Sequence, residues 1–499
     1  MKREAGILLP IFSLPSRYGM GCFSKEAYRF VDFLAEAGQS YWQILPLSPT
    51  GFGDSPYQSF SAYALSPYLI SPETLVEDGL LRSEECDAAG LESGDGRRVD
   101  YAAQYEKRFP LLRLAYGRAR RENMDGFSEF EARCGDWLED YACFMAIKQS
   151  FSQRPLSQWP AQLRLRSPQA LSEACRGLGE EIGFWKFLQY YAARGWRELK
   201  AYANSRGIQM IGDLPIYVSA DSADVWKNPE LFQLDEQGIP LAVAGCPPDG
   251  FTPLGQLWGN PLYRWEVHRQ SGFSWWIKRL SHAFSLYDVV RIDHFRGFDS
   301  YYSVPYGAEN AVQGHWEQGP GLALFEAAER ALGHRAVIAE DLGYMTDSVR
   351  RLVRDSGFPG MKILQFGFDG NHGDFSNGDL PHRYPEHCVA YTGTHDNPTL
   401  VEWLSALGEQ ELATLRQYLW DYSTPRDMLA DPLIALLMRS SARLCIIPLQ
   451  DYMGFGESAR INRPSTASGN WSWRLTGEEL CSPLAKKIRE LCAPGERLV

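Results

Sequence analysis

Eight short apolar runs rich in β-branched residues recur along the chain, with helical periodicity between them. They occupy residues 6–9, 41–47, 210–218, 288–292, 336–339, 361–366, 388–391 and 443–447. Strands that alternate with helices form parallel βαβ units, because a parallel partner can be reached only by a crossover long enough to hold a helix. The segments between the runs read as such crossovers. Residues 25–37 carry Ala27, Phe30, Val31 and Leu34 on one face and stop at Gly38, a helical stripe with a glycine terminator. Similar patterns cover 184–204, 273–284, 321–332, 347–354, 399–407 and 432–442. Eight such units predict an α/β fold, a closed (β/α)8 barrel of the TIM type, with functional residues at the C-terminal ends of the strands.

Two spacings exceed a plain crossover. About 160 residues separate the second and third runs and about 70 the third and fourth, so large insertions are expected after strands 2 and 3. The reading is one catalytic barrel domain over 1–499. An insertion over 50–205 is largely helical, breaks at the proline-bearing stretch 154–168 and ends in a return helix. A second, 219–275, is rich in Pro, Gly and aromatic residues and is expected as a long structured loop covering the site. Residues 476–491 are expected to close the chain as two short helices, without a separate all-β C-terminal domain.

Composition excludes several classes of function. The net charge is −12, from 50 Lys and Arg against 62 Asp and Glu; nucleic acid, which is bound by basic faces, is not an expected partner. No apolar run approaches the roughly 20 residues of a membrane span, and residues 7–9 are too short for a signal-peptide core, so no membrane segment and a cytoplasmic location are expected. The 10 cysteines form neither a Cys-x-x-Cys pair nor a zinc-type cluster and are expected as reduced thiols. Aromatic residues make up 13% of the chain, including 15 Trp and 25 Tyr. Some of these rings could serve as flat platforms for sugars, though most are expected in the core.

Read at the strand ends, the barrel delivers Asp213 after strand 3, Asp293 after strand 4, Glu340 and Asp341 after strand 5, and Asp396 after strand 7. Each alone reads more readily as a helix N-cap or a loop charge than as a catalytic group. Together they converge on one face, where paired carboxyl groups suit glycoside chemistry: one protonates the leaving oxygen and the other attacks the anomeric carbon or activates water. A Mg²⁺ or Ca²⁺ site is the competing reading. It lacks a calcium-loop pattern, and Arg291, His294 and His395 lie beside the acids, the histidines repelling a cation if protonated. No metal or cofactor is therefore expected. Arg291 precedes Asp293 by two residues on the same side of a strand and is expected to hold it ionised, as a nucleophile requires. Glu340 follows Ala336-Val337-Ile338-Ala339, and half-burial there would keep it protonated as an acid. His395 and Asp396 could bind sugar hydroxyls and stabilise an oxocarbenium-like transition state.

These residues fall within long blocks that resemble the 4-α-glucanotransferases known as amylomaltase or disproportionating enzyme, in the α-amylase clan. The blocks run from Gly6-Ile7-Leu8-Leu9 to Gly469-Asn470-Trp471-Ser472-Trp473-Arg474. Between these lie Gly53-Asp54-Ser55-Pro56-Tyr57-Gln58-Ser59, Gly212-Asp213-Leu214-Pro215-Ile216-Tyr217-Val218, Pro247-Pro248-Asp249 through Gln256-Leu257-Trp258-Gly259-Asn260-Pro261, Arg291-Ile292-Asp293-His294-Phe295-Arg296-Gly297, Ala339-Glu340-Asp341-Leu342-Gly343 and Gly393-Thr394-His395-Asp396-Asn397.

The resemblance implies a retaining transglycosylase that moves α-1,4-glucan segments to the 4-hydroxyl of an acceptor glucan or glucose. Asp293 would be the nucleophile, Glu340 the general acid/base and Asp396 the transition-state stabiliser. It further implies that Asp213, Arg291, His294 and His395 line the donor subsite, that Tyr57 stacks on a bound glucan, and that Asp249 and Trp258 belong to a loop over the acceptor side. A hydrolase on the same barrel is the alternative, since the two chemistries differ only in the acceptor. The chain departs from the family pattern at Leu9-Pro10-Ile11-Phe12-Ser13, at Cys22-Phe23, and at Pro464-Ser465, where a glycine commonly follows the proline.

Overall fold

The computed structural model describes residues 3–498, except 52, 93–95, 122–123, 249–251, 369–374 and 467. Eight parallel strands close into a barrel: β1 Glu4–Leu8, β2 Tyr41–Gln43, β3 Gln209–Leu214, β4 Val289–Ile292, β5 Val337–Ala339, β6 Gly360–Ile363, β7 Cys388–Tyr391 and β8 Leu444–Pro448. Each strand pairs with its sequence neighbours and β8 closes on β1, with Gly6 opposite Ile446 and Gly6 opposite Tyr41. All eight predicted strands are present. Several are shorter than their apolar runs because the chain leaves the ladder at the top of the barrel; Leu364–Phe368, for example, turns into a 3₁₀ helix.

The strand period of two sorts the side chains into two layers. Leu8, Ile211, Val289, Ile338, Ile363, Val389 and Ile446 pack inside the barrel. Their neighbours Ile7, Met210, Val290, Ala339, Ala390 and Cys445 pack outward against the helices. Helix Lys25–Glu36 buries Ala27, Phe30, Val31 and Leu34, the face predicted from the sequence. Helix Asp347–Ser356 starts at Thr346, whose side chain accepts from the Val349 N–H, and ends at Gly357 with φ 71°, a left-handed terminator.

The insertion between β2 and β3 is helical, and its 27-residue helix Gly179–Ser205 returns the chain to the barrel. Four expectations need correction. The 219–275 stretch is not purely loop: Ala242–Cys246 and Gln256–Pro261 are strands, joined by Ser300–Pro305 and His315–Gln318 into a four-stranded antiparallel sheet. Half of that sheet comes from a third excursion, after β4, which the sequence spacing did not reveal. The C-terminal region forms one helix, Ser482–Cys492, with a 3₁₀ turn. Helix Glu409–Leu419 was not anticipated. Finally, Cys143 and Cys175, expected as free thiols, are joined, because packing of the insertion helices brings together residues 32 apart in sequence.

Among the described residues no helix is long and apolar enough to cross a membrane. Closure leaves little room between β3 and its helix: a Cβ on Gly212 would run into the buried ring of Tyr287. Gly212→Ala should therefore lower unfolding stability by roughly 1–3 kcal/mol, the usual cost of overpacking, measured by denaturant titration; an unchanged midpoint would show that Tyr287 can yield.

Candidate active site

The same two-residue period that fills the barrel interior carries polar groups to its mouth. Asp213 lies two residues beyond Ile211, Arg291 two beyond Val289, and Glu340 two beyond Ile338, all on inward parity. Asp213 and Arg291 are also direct register partners on β3 and β4. Arg291 Nη1 donates to both Asp213 oxygens at 2.7 and 2.6 Å and lies 3.1 Å from Asp293 Oδ1. The expected Arg291–Asp293 contact is thus present, but Arg291 makes its shorter contacts to Asp213. Burial works against the Arg291 charge, yet Asp213 and Asp293 hold its pKa well above the ordinary value.

Asp213 itself has no exposed side-chain surface, so it meets the cleft through other groups. One is Arg291. The other is Tyr57, whose hydroxyl donates to Asp213 Oδ2 at 2.6 Å. Tyr57 stacks on His395 with ring centres 5.3 Å apart and planes 15° apart, and Trp471 packs against both rings at 5.7 and 5.9 Å.

Glu340 is fixed from two sides. The His294 N–H donates to Oε2 at 2.6 Å and the Leu342 N–H to Oε1 at 3.0 Å. His294 can aim its N–H there because its backbone is left-handed, with φ 48°, a conformation uncommon for a residue with a Cβ and found where function maintains it. Withdrawal from water raises the pKa of both Asp293 and Glu340; Arg291 opposes the rise in each, and their mutual repulsion adds to it in Glu340. Asp293 keeps 27% of its side-chain surface exposed, so one edge remains open to the cleft. Two linked carboxyl groups titrate as a pair, passing through a state in which one proton is held between them.

Asp396 is held in a different way. Its Oδ1 accepts from Asn462 Nδ2 at 2.6 Å, His395 Nε2 lies 3.4 Å away, and Arg460 binds its backbone carbonyl at 2.9 Å. Burial pushes His294 down to about 3 and lowers His395 as well. Both imidazoles are therefore neutral near pH 7.

A cleft of about 710 Å³ opens over these groups. Its lining includes Tyr57, Trp258, Arg291, Asp293, His294, Glu340, His395 and Asp396. Trp258 meets His294 edge-on at 4.8 Å. The cleft wall is tied to the β3 exit by Asn260, which donates to the Val218 carbonyl at 2.9 Å, and to the excursion after β2 by Gln58, which donates to Asn260 Oδ1 at 3.0 Å. Asp249 lies outside the described residues. Asn462, Trp471, Tyr217, Arg296, Trp316 and Tyr344 also line the cleft and were not singled out from the sequence. Trp471, Tyr217 and Arg296 sit inside matching blocks; Trp316 and Tyr344 carry no local signal. Ser465, where the family commonly has glycine, adopts φ 65°, the left-handed backbone that glycine takes without steric cost.

Comparison with known proteins follows the same lines. A family model described as 4-alpha-glucanotransferase matches residues 9–480. The chain is 46% identical to a 4-alpha-glucanotransferase of Thermus thermophilus, over the whole of both chains. It is 44% identical to one from Streptococcus pneumoniae, covering 100% of this chain and 98% of the other. Among solved structures, amylomaltase from Streptococcus agalactiae in complex with acarbose superposes with a TM-score of 0.97 at 40% identity, over 100% of each chain. A family match over almost the full length, joined to a barrel whose mouth gathers three acids around one buried arginine, places this chain in the 4-alpha-glucanotransferase family.

Proposed function

We propose that the chain disproportionates α-1,4-glucans by double displacement, with Asp293 as nucleophile, Glu340 as acid and then base, and Asp396 as stabiliser of the sugar cation. In the first step the Glu340 proton passes to the glycosidic oxygen while an Asp293 oxygen bonds to the anomeric carbon. The C–O bond breaks and the shortened glucan leaves with that proton. In the second step the 4-hydroxyl of an acceptor glucan, or of glucose, attacks the same carbon, gives its proton to Glu340 and releases Asp293. Two inversions leave the α configuration unchanged.

The observation that carries this reading is the clamped Asp293–Glu340 pair. His294 follows Asp293 in the chain and donates its N–H to Glu340, so one backbone turn sets both carboxyl groups, while Arg291 favours the ionised form of Asp293. Asp396 is suited to a third role: its carboxylate faces the same cleft from β7 and can attract positive charge as it develops on the sugar ring. Asp213 acts at one remove, by holding Arg291 and Tyr57. The wall built by Ala242–Cys246 and Gln256–Pro261 supports transfer over hydrolysis, since a covalent glycosyl intermediate survives for an acceptor only where water is excluded. The acarbose held by the Streptococcus agalactiae relative is consistent with a sugar in this cleft.

Incubation with pure maltotriose should give glucose together with a ladder of longer oligosaccharides, read by chromatography; glucose and maltose with no elongation would make the chain a hydrolase instead. Asp293→Ala should cut turnover by several orders of magnitude with an unchanged circular dichroism spectrum, and substantial residual transfer would remove Asp293 from the nucleophile role. The pH dependence follows from the shared proton. Asp293 must be ionised and Glu340 protonated, and burial raises both, so kcat/KM should fall at low pH as Asp293 takes up a proton and at high pH as Glu340 loses one. The alkaline limb should lie well above the ordinary glutamate value of about 4.3, and it should vanish for an α-glycosyl fluoride donor, whose leaving group needs no acid.

A further inference from the structure

We propose that Trp316 and Tyr344 form an aromatic platform for a sugar on the acceptor side of the cleft, and that Arg296 is the positioning residue that holds both. The inference rests on the assignment of Glu340 as the acid/base. Arg296 is three residues past Asp293 and only 4% exposed. Its guanidinium carbon lies 3.8 Å from the centre of the Trp316 indole. Nη1 donates to the Tyr344 backbone carbonyl at 2.6 Å and Nη2 to Ser300 Oγ at 3.1 Å. One buried cation therefore joins two excursions at three points: the turn after β4 and the strand His315–Gln318, both between β4 and β5, and the loop after β5.

The rings so held are not core residues. Trp316 is 38% and Tyr344 70% exposed, and both line the catalytic cleft. Trp316 is braced a second time by Tyr302, which meets it edge-on at 5.1 Å. Gly343, with φ 84°, lets the chain turn between Leu342, whose N–H fixes Glu340, and Tyr344. A large exposed aromatic surface held in place by a buried arginine has a cost that ordinary packing does not return, and flat apolar rings suit the C–H faces of a glucose unit. The guanidinium covers one face of the indole, so a sugar can stack only on the other.

The side of the cleft follows from the chemistry. The acid must reach the glycosidic oxygen, so the leaving sugar lies beyond Glu340 from the point of attack, and the acceptor later takes that same place. Tyr344 is four residues past Glu340 and Trp316 is tied to it through Arg296. Tyr57 and Trp471 come from the loops after β2 and β8, which flank β1 across the barrel from β5, and pack with His395 beside Asp213 and Asp396. The platform therefore meets the leaving and accepting sugars rather than the sugar retained on Asp293.

The two half-reactions can be read separately with α-maltosyl fluoride as donor, which places no sugar on the leaving side, and glucose or maltose as acceptor. Trp316→Ala and Tyr344→Ala should each raise the acceptor KM roughly tenfold, equivalent to about 1.4 kcal/mol, while single-turnover fluoride release changes much less. Arg296→Lys, which keeps the charge but loses the planar fork, should shift the acceptor KM in the same direction. Trp316→Phe should recover most of the loss by restoring a ring. An unchanged acceptor KM in both alanine variants, or fluoride release falling as far as transfer does, would overturn the platform. If the parent protein itself released fluoride without transferring to any acceptor, the double-displacement transfer reading would fail instead.

Discussion

The site depends on a single ion pair buried at the barrel mouth, Arg291 with Asp213. Two charges in a low-dielectric interior are stable only if each has its partner, and loss of one leaves the other uncompensated. Here the pair lies across adjacent strands in register, so its geometry is set by the backbone ladder rather than by flexible loops. What remains of the arginine's charge is directed to Asp293, and what remains of Asp213's acceptor capacity goes to Tyr57. The pair thus transmits the rigidity of β3 and β4 both to the proposed nucleophile and to the ring wall of Tyr57, His395 and Trp471.

Around this core the barrel holds each acid by different means, and so gives each a different chemistry. Asp293 sits between an arginine and two other carboxylates. Glu340 is gripped by two backbone N–H groups, one of them presented by the left-handed turn at His294. Asp396 is fixed by an amide side chain from a distant loop and stays open to solvent, with 45% of its side chain exposed. Environment rather than residue type separates acid from base in such sites.

The antiparallel sheet adds the remaining wall. It unites segments from two excursions, and its position is secured by contacts to the β3 exit and by the Arg296 clamp rather than by a large core of its own. This explains how exposed rings can be held beside the reacting groups without being part of the hydrophobic interior.

Much of the fold was legible in the chain because strand and helix periodicities are local. The apolar runs announced all eight strands, and inward parity carried past Ile211, Val289 and Ile338 pointed to Asp213, Arg291 and Glu340. The sequence by itself determined the barrel, the acids at its mouth and, through the long matching blocks, the family. Only the tertiary structure decided that Asp213 lies beneath Arg291 instead of in the cleft, that both histidines are kept neutral by burial, and that Asn462, Trp316 and Tyr344 join the site. Those facts depend on groups far apart in sequence. Asn462 reaches Asp396 across 66 residues and Arg296 reaches Tyr344 across 48, and no local pattern encodes such a meeting because it is created only when the barrel closes and its insertions fold over the mouth.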